Sequence, residues 1–272
     1  MISHFNRWYK NFCSRLRFLW NRFIYSQLII ESEYGGLGDH LLLSHLPRIA
    51  KENAGYKKVF ISNKSFFRDP DVRELVWKKN PYVDGFIEKR GHVILPPHTQ
   101  PKADRKLFNL LFRLGLENRI TYLSEDRNLL DQFMISYGID DRRRSHEPEL
   151  YLNIQKVERL KDTIIYDPNY ITNIGVLSVK RVENYFYQNE INIHAQMAIR
   201  NNSIPISKPT NTITTQSIFD FCSVIISCKE LYCFTTGTAT LAAALNKPCT
   251  VLYGEGINPL YHHSRIHSYI KI

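Results

Sequence analysis

Apolar and polar positions follow two different periods along this chain, and the switches between them outline its elements. In the first 25 residues, "MISHFNRWYKNFCSRLRFLWNRFIY", Phe5, Trp8, Phe12, Leu16, Leu19, Trp20 and Phe23 recur at helical spacing, with Arg7, Lys10, Arg15, Arg17 and Arg22 between them and no acidic residue. That pattern predicts a helix with one apolar face. From Gln27 onward short β-rich runs alternate with helical patterns. "QLIIES" reads as a strand, a glycine loop follows, and "DHLLLSHLPRIAKENAG" (39–55) reads as a helix with Pro47 an awkward interior guest. "KKVFIS" is the next strand, "DPDVRELVWKKN" a helix opened by Asp69-Pro70-Asp71, and "VDGFIE" a third strand. Helical patterns at 103–114 and 125–137 enclose "RITYL".

"DDRRRSHEPEL" (140–150) is polar, charged and proline-broken, and marks a domain boundary. Beyond it the alternation resumes. "DTIIYDPN" reads as a strand, "SVKRVENYFYQNE" as a helix and "NIHAQMAI" as a strand, while "SIPISKPTNTITT" (203–215) reads as a loop. "SIFDFCSVIISC", "ELYCF", "TATLAAALNK" and "CTVLYG" then read as helix, strand, helix and strand. The expected organisation is an amphipathic helix (1–25), a Rossmann-like domain (26–150) and a second Rossmann-like domain (151–272). Such an α/β alternation predicts parallel sheets covered by helices, with a ligand cleft at the carboxyl ends of the strands.

Composition narrows the class. The 272 residues are 43% hydrophobic and 12% aromatic, enough for packed cores and against disorder. No apolar stretch approaches the roughly 20 residues that span a bilayer. A formal charge of +10 points to an anionic partner. The basic aromatic start suits an anionic membrane surface, or else the protein's own flank. Five cysteines, an odd number with four clustered late, argue against a disulfide framework and for buried thiols in a reducing cytoplasm.

Two stretches carry candidate chemistry. In "ELYCFTTGTATLAAALNKPCTVLYGEG" (230–256) a strand runs into Thr235-Thr236-Gly237 and a small-residue helix. Gly237 would let the chain turn sharply, and the helix start, with Thr235, Thr236 and Thr238 as added donors, makes an anion site or a plain threonine-capped turn. In "YGGLGDHLLLSHLPRI" (34–49), Gly35, Gly36 and Gly38 precede Asp39 and His40. This loop would cradle a phosphate, pose a carboxylate or simply turn a corner. Glu255 follows the last strand of the series, with His262 and His263 further on. Asp69 and Asp71 read as a capping turn, and Lys89, Arg90, His92 and His98 line a proline-rich loop. No metal motif is present.

"TTGTATLAAALNKPCTVLYG" resembles, without a gap, the carboxyl-terminal signature of the bacterial heptosyltransferases, glycosyltransferase family nine. "LGDHLLLSHLPRI" resembles that family's amino-terminal Leu-Gly-Asp loop, and "NPYVDGFI" (80–87) its Asn-Pro-Tyr-Val/Ile-Asp segment. The resemblance covers most of residues 27–256. It implies a two-domain GT-B fold that moves a sugar from a nucleotide donor without a metal or cofactor. It also implies that Asp39 is the general base for the acceptor hydroxyl and that Glu255 lies where a GT-B enzyme meets the nucleotide or leaving phosphate; His40 is the nearby alternative base, or a structural histidine. Thr235 and Thr240 stand where the family has Asp and His, which separates the chain from the ADP-heptose pattern. The sequence stops soon after "SYIKI", and the amino-terminal helix is expected to cover the flank that closing helices cover in many GT-B enzymes.

These readings converge on an inverting glycosyltransferase on the cytoplasmic side of a membrane. Its expected partners are a nucleotide-sugar and an anionic glycan or lipid-linked acceptor, with no nucleic acid. The alternatives are an inactive sugar-nucleotide-binding module and, against the absence of any helix-turn-helix, zinc or RNA-recognition motif, a nucleic-acid-binding protein.

Overall fold

The computed structural model describes residues 23–93, 128–139, 141–171, 173–200, 202–207, 211–257 and 264–272, with Cys13, Leu16, Leu19, Trp20 and Pro259. The helical pattern at 103–114, the "RITYL" run, His98, His262, His263 and most of the amino-terminal helix lie outside the described residues. The chain divides into two compact units, Met1–His146 and Glu147–Ile272.

The first unit is built on strands β1 (Gln27–Glu31), β2 (Lys58–Ser62), β3 (Gly85–Ile87) and β4 (His92–Val93), in the order β3-β2-β1-β4 with every pair parallel. Leu28, Ile29 and Ile30 are all buried, the continuous apolar run of a central parallel strand. The helix expected over 39–55 is two helices, α1 (Leu37–Leu41) and α2 (Leu46–Asn53). Pro47 decides the break. It has no N–H to continue the ladder, so it sits in the first turn of α2, where that donor has no partner to lose. Leu46 N donates to Leu43 O at 3.1 Å and so tightens the turn between the helices.

Asp69 opens α3 (Pro70–Val72), its side chain accepting from Asp71 N at 2.9 Å, and a π-helical stretch (Arg73–Lys78) continues from it. The capping role expected of this Asp-x-Asp is the observed one. Helix α4 (Leu129–Ser136) starts with a reciprocal capping box: Asn128 Oδ1 accepts from Asp131 N, and Asp131 Oδ2 from Asn128 N, both at 3.1 Å. Asp131 also accepts from Ser145 N, His146 N and His146 Nδ1, which fastens the end of the unit onto this helix.

The second unit holds β5 (Ile164–Tyr166), β7 (Ala195–Met197), β9 (Asn211–Ile213), β10 (Glu230–Phe234), β11 (Thr250–Tyr253) and β12 (Ser268–Lys271) in one parallel sheet, while β6 (Asn169–Tyr170) and β8 (Asn202–Ser203) pair antiparallel. The sheet order is β12-β11-β10-β5-β7-β9. Counted in chain order this is 3-2-1-4-5-6, the doubly wound Rossmann arrangement. Three sequence readings change. "DTIIYDPN" is two strands separated by Asp167-Pro168. Part of the loop at 203–215 is strand β9, whose Thr212 and Ile213 are β-branched. The closing "SYIKI" supplies edge strand β12.

Helices α5 (Val179–Gln188), α6 (Ile218–Ser227) and α7 (Gly237–Ala244) each begin on a hydroxyl cap, from Ser178, Ser217 and Thr236. The core beneath them is aromatic: Tyr166 meets Phe186 and Phe234 edge-on at 5.4 and 5.8 Å. The Tyr166 hydroxyl stays satisfied by donating to Ile204 O at 2.7 Å. Among the described residues no helix is long and apolar enough to cross a membrane.

Candidate active site

Where the strand order of a parallel sheet reverses, the connections leave to opposite faces and a crevice opens at the carboxyl ends of the two strands. In the second unit the reversal lies between β5 and β10. β10 ends at Phe234 and passes through Thr235 and Thr236 into α7, which places the threonine-rich stretch at that crevice. Thr236 Oγ1 accepts from Thr238 N at 3.3 Å as the helix cap. The positive end of the α7 dipole therefore faces the crevice, as an anion site requires. Buried Ala239, Ala242 and Ala243 let the helix lie close to its neighbours.

Gly237 does not make the corner. Glycines with positive φ among the described residues are Gly55, Gly85, Gly138, Gly175 and Gly256, and the turn into α7 is made by extended Thr236 (φ −131°, ψ 179°). Thr235 is buried, and Thr240 turns its hydroxyl along the helix toward Thr236 O at 3.5 Å.

Across the reversal, at the end of β5, stands a residue that sequence reasoning passed over. Asp167 is 3% exposed. Its Oδ2 accepts from Thr238 Oγ1 at 2.7 Å, and its Oδ1 from Asn169 N at 3.1 Å and Asn169 Nδ2 at 2.8 Å. Burial pushes the carboxyl above its usual range; the Thr238 and Asn169 hydrogen bonds and the Arg200 charge pull the other way without offsetting it. The available signal was the Asp-Pro pair, which ends a strand more readily than it continues one.

Glu255 follows β11 on the same edge of the sheet. Its side chain is 70% exposed and pairs with Lys271 Nζ at 2.8 Å, which holds the carboxyl below its usual range. A carboxylate repels a phosphate, so the ammonium of Lys271, not Glu255, is the member of this pair suited to an anionic ligand. The backbone around Glu255 is tightly held: Val176 N donates to Glu255 O at 3.0 Å and Gly254 N to Ile174 O at 2.8 Å. Gly175 has φ +87°, and a Cβ there would lie 2.5 Å from the Gly254 carbonyl carbon.

In the first unit the strand order reverses between β1 and β4, and the glycine loop leaves β1 there. Asp39 is the third residue of α1, and its Oδ2 accepts from Gly36 N at 3.0 Å. With Glu31, Ser32, Tyr34, Leu43, Phe133 and Tyr137 it lines a cavity of about 20 Å³, the room of a single water. Glu31 is buried there and accepts from Gly91 N and Arg90 Nη1, both at 2.6 Å, which accounts for Arg90. Lys89 Nζ lies 5.7 Å from the Tyr25 ring.

The glycines serve close approach. A Cβ on Gly35 would fall 2.5 Å from Phe66 Cδ1 and 2.8 Å from Arg68 N, and one on Gly36 would fall 2.7 Å from Asp39 Oδ2. Gly38 is helical, its carbonyl accepting from Leu42 N at 2.9 Å. His40 does not face the loop. It is 1% exposed, stacked on Phe67 at 4.5 Å, with Trp77 Nε1 donating to its Nδ1 and Phe66 O accepting from its Nε2. The alternative base is thus a core histidine with both ring nitrogens engaged. Among the described residues no group of three or more His, Cys, Asp or Glu side chains is placed to hold a metal ion.

No protein-family model matches the chain, and no curated protein matches it. Solved structures do. A family 9 glycosyl transferase from Veillonella parvula DSM 2008 aligns over 90% of this chain and 85% of its own at 13% identity and a TM-score of 0.53. The ADP-heptose lps heptosyltransferase II of E. coli aligns over 89% and 90% at 15% identity and a TM-score of 0.51. The dodecameric iron-containing heptosyltransferase TibC of enterotoxigenic E. coli H10407, solved in complex with ADP-D-β-D-heptose, aligns over 89% of this chain at 12% identity and a TM-score of 0.55. This chain spans 61% of TibC. Two Rossmann-type units, each with its marked segment at a strand-order reversal, give this chain the fold of the family 9, GT-B glycosyltransferases.

Proposed function

We propose that this protein is an inverting, metal-independent glycosyltransferase. It would transfer a sugar from a nucleotide-sugar donor to a cell-surface polysaccharide or lipid-linked glycan. The observation that carries the reading is the Thr236-capped start of α7 at the β5/β10 reversal. The helix start holds the donor diphosphate between Thr235 and Thr238, with Lys271 adding positive charge. Asp39 takes the proton of the acceptor hydroxyl as its oxygen attacks the anomeric carbon. The bond from that carbon to the diphosphate breaks with inversion, and the departing charge is stabilised by the helix dipole and hydroxyls. Gly35, Gly36 and Gly38 keep the loop around Asp39 compact.

A lipid-proximal acceptor is supported by the +10 charge and by Trp20, Phe23, Ile24 and Tyr25, all more than half exposed in a basic segment. The proposed location is the inner face of the cytoplasmic membrane. Liposome flotation with and without residues 1–25 tests this, and equal partition removes it.

The donor reading is tested by a thermal-shift screen of ADP, UDP, GDP and CDP, because a ligand that binds only the folded state raises its stability by mass action. Stabilisation by at least one supports the reading; none overturns it. Thr235 and Thr240, where the family has Asp and His, favour a second reading as a binding module without turnover. A donor that binds but is never consumed, with any acceptor fraction, selects that reading.

A further inference from the structure

We propose that Asp167 is a positioning residue of the donor site that takes up one proton as the nucleoside diphosphate binds, and in doing so turns the Thr238 hydroxyl toward the ligand. This rests on the donor site proposed at α7.

The geometry carries the argument. Thr238 has one hydroxyl proton, and it is committed to Asp167 Oδ2 at 2.7 Å. The opposite oxygen accepts from Asn169 N and Nδ2, so Oδ1 has two donors and Oδ2 is the oxygen placed to take a proton. A proton on Oδ2 reverses the contact: Oδ2–H donates to Thr238 Oγ1, and the Thr238 hydroxyl hydrogen becomes available to a phosphate oxygen. No heavy atom need move. The proton comes from solvent, and one is gained for each nucleotide bound.

The driving force is like-charge repulsion in a buried setting. An ionised Asp167 lies against the first turn of the helix that would receive the diphosphate, and two anions sharing such a site favour protonation of one of them. The neighbours do not cancel this. Thr238 faces the carboxyl from α7, Asn169 from β6, and Tyr166 and Cys233 from the sheet, Tyr166 kept neutral by burial and Cys233 by its contact with Cys249 and by burial. Arg200 is the cation that acts on it, and its Nη2 is engaged by Thr215 O at 3.0 Å. Burial pushes the Asp167 carboxyl in the same direction.

The test is calorimetric titration of the full chain with ADP, UDP, GDP and CDP, each in buffers of different ionisation enthalpy. Wild type is expected to take up about one proton more per nucleotide than Asp167→Asn, the nucleotide's own titration being common to both. Wild-type affinity should rise by up to about tenfold per pH unit on acidification. The affinity of Asp167→Asn should follow only the nucleotide. Equal uptake by the two proteins, or a folded Asp167→Asn that binds no nucleotide, overturns the proposal. If that variant fails to fold, Thr238→Val makes the same test. Without the donated hydroxyl the carboxyl is protonated beforehand, so uptake falls, and unchanged uptake overturns the proposal. A wild type that binds none of the four overturns the donor reading itself, a result distinct from binding without excess uptake.

Discussion

The indole N–H of Trp77 donates to His40 Nδ1 at 3.0 Å, while His40 Nε2 faces the Phe66 carbonyl at 2.9 Å. These two contacts fix the imidazole as the neutral tautomer with its proton on Nε2, inside the core of the first unit.

Burial lowers the His40 pKa from 6.5 to about 4, the Phe66 carbonyl only partly opposing it. A folded value below the unfolded one means that stability is fully present above about pH 6.5 and is lost as pH falls toward 4, by roughly 3 kcal/mol in total. His40→Phe removes this titration but strands the Trp77 N–H, at a cost of about 1–3 kcal/mol near neutrality. Urea melts across this range should show wild type losing stability on acidification more steeply than the variant.

The opposite sign applies to His146, whose Nδ1 and Nε2 contact Asp131 at 2.6 Å and Asp141 at 3.1 Å. Burial would lower its pKa, but the two carboxylates outweigh burial and raise it. Its contribution is therefore present below 6.5 and lost as pH rises through the raised value. Both aspartates are held below 3.8 despite their burial, so their contribution is lost in acid. His146→Ala should cost about 3 kcal/mol near pH 6 and less near pH 9, read from denaturant midpoints.

Gly35 and Gly55 are indispensable for different reasons. Gly35→Ala drives a methyl into Phe66 and the Arg68 backbone, an overpacking worth about 1–3 kcal/mol. Gly55→Ala meets no atom within 4 Å but must hold φ +71°, at about 1–2 kcal/mol. Trimming Phe66 to Ala should relieve part of the first penalty, the Arg68 backbone contact remaining, and leave the second unchanged, as thermal melts of the double variants will report.

Thr236→Ala removes the α7 cap and should cost about 1 kcal/mol, whereas Thr236→Ser keeps it. Under the donor reading, nucleotide affinity should fall in the alanine variant and survive in the serine one. Affinity that ignores both substitutions argues that the helix start is a turn and nothing more.

Asp39→Asn retains an acceptor for Gly36 N, so fold and nucleotide affinity should be unchanged. Turnover should fall by about 10²–10⁴ if the carboxylate is the base. Undiminished turnover would leave Asp39 with only its capping bond.

The hydrophobic periods gave most strands and helices because a parallel sheet buries whole apolar runs, and Leu28–Ile30 and Leu231–Phe234 stand out for that reason. Short, largely exposed edge strands carry no such signal, so the pattern reads β9 as loop and does not mark β12. The two chemistry-bearing segments were legible because their glycines and threonines interrupt the pattern abruptly. Asp167 was not, since its significance depends on β5 and β10 lying side by side although 71 residues separate it from Thr238. The burial of His40 was equally hidden, because it needs Phe66, Phe67 and Trp77 to arrive from distant segments.

The backbone pairing of residues 174–176 with Gly254 and Glu255 carries one more consequence. The rim of the second unit is fastened by main-chain bonds and by two glycines in contact, while the side chains of Val176 and Glu255 are 68% and 70% exposed. A lip secured this way keeps its outline whatever side chains it displays. Exchange of those side chains one at a time therefore leaves the main-chain bonds intact, and proteins that share about one residue in eight with this chain still align with most of it.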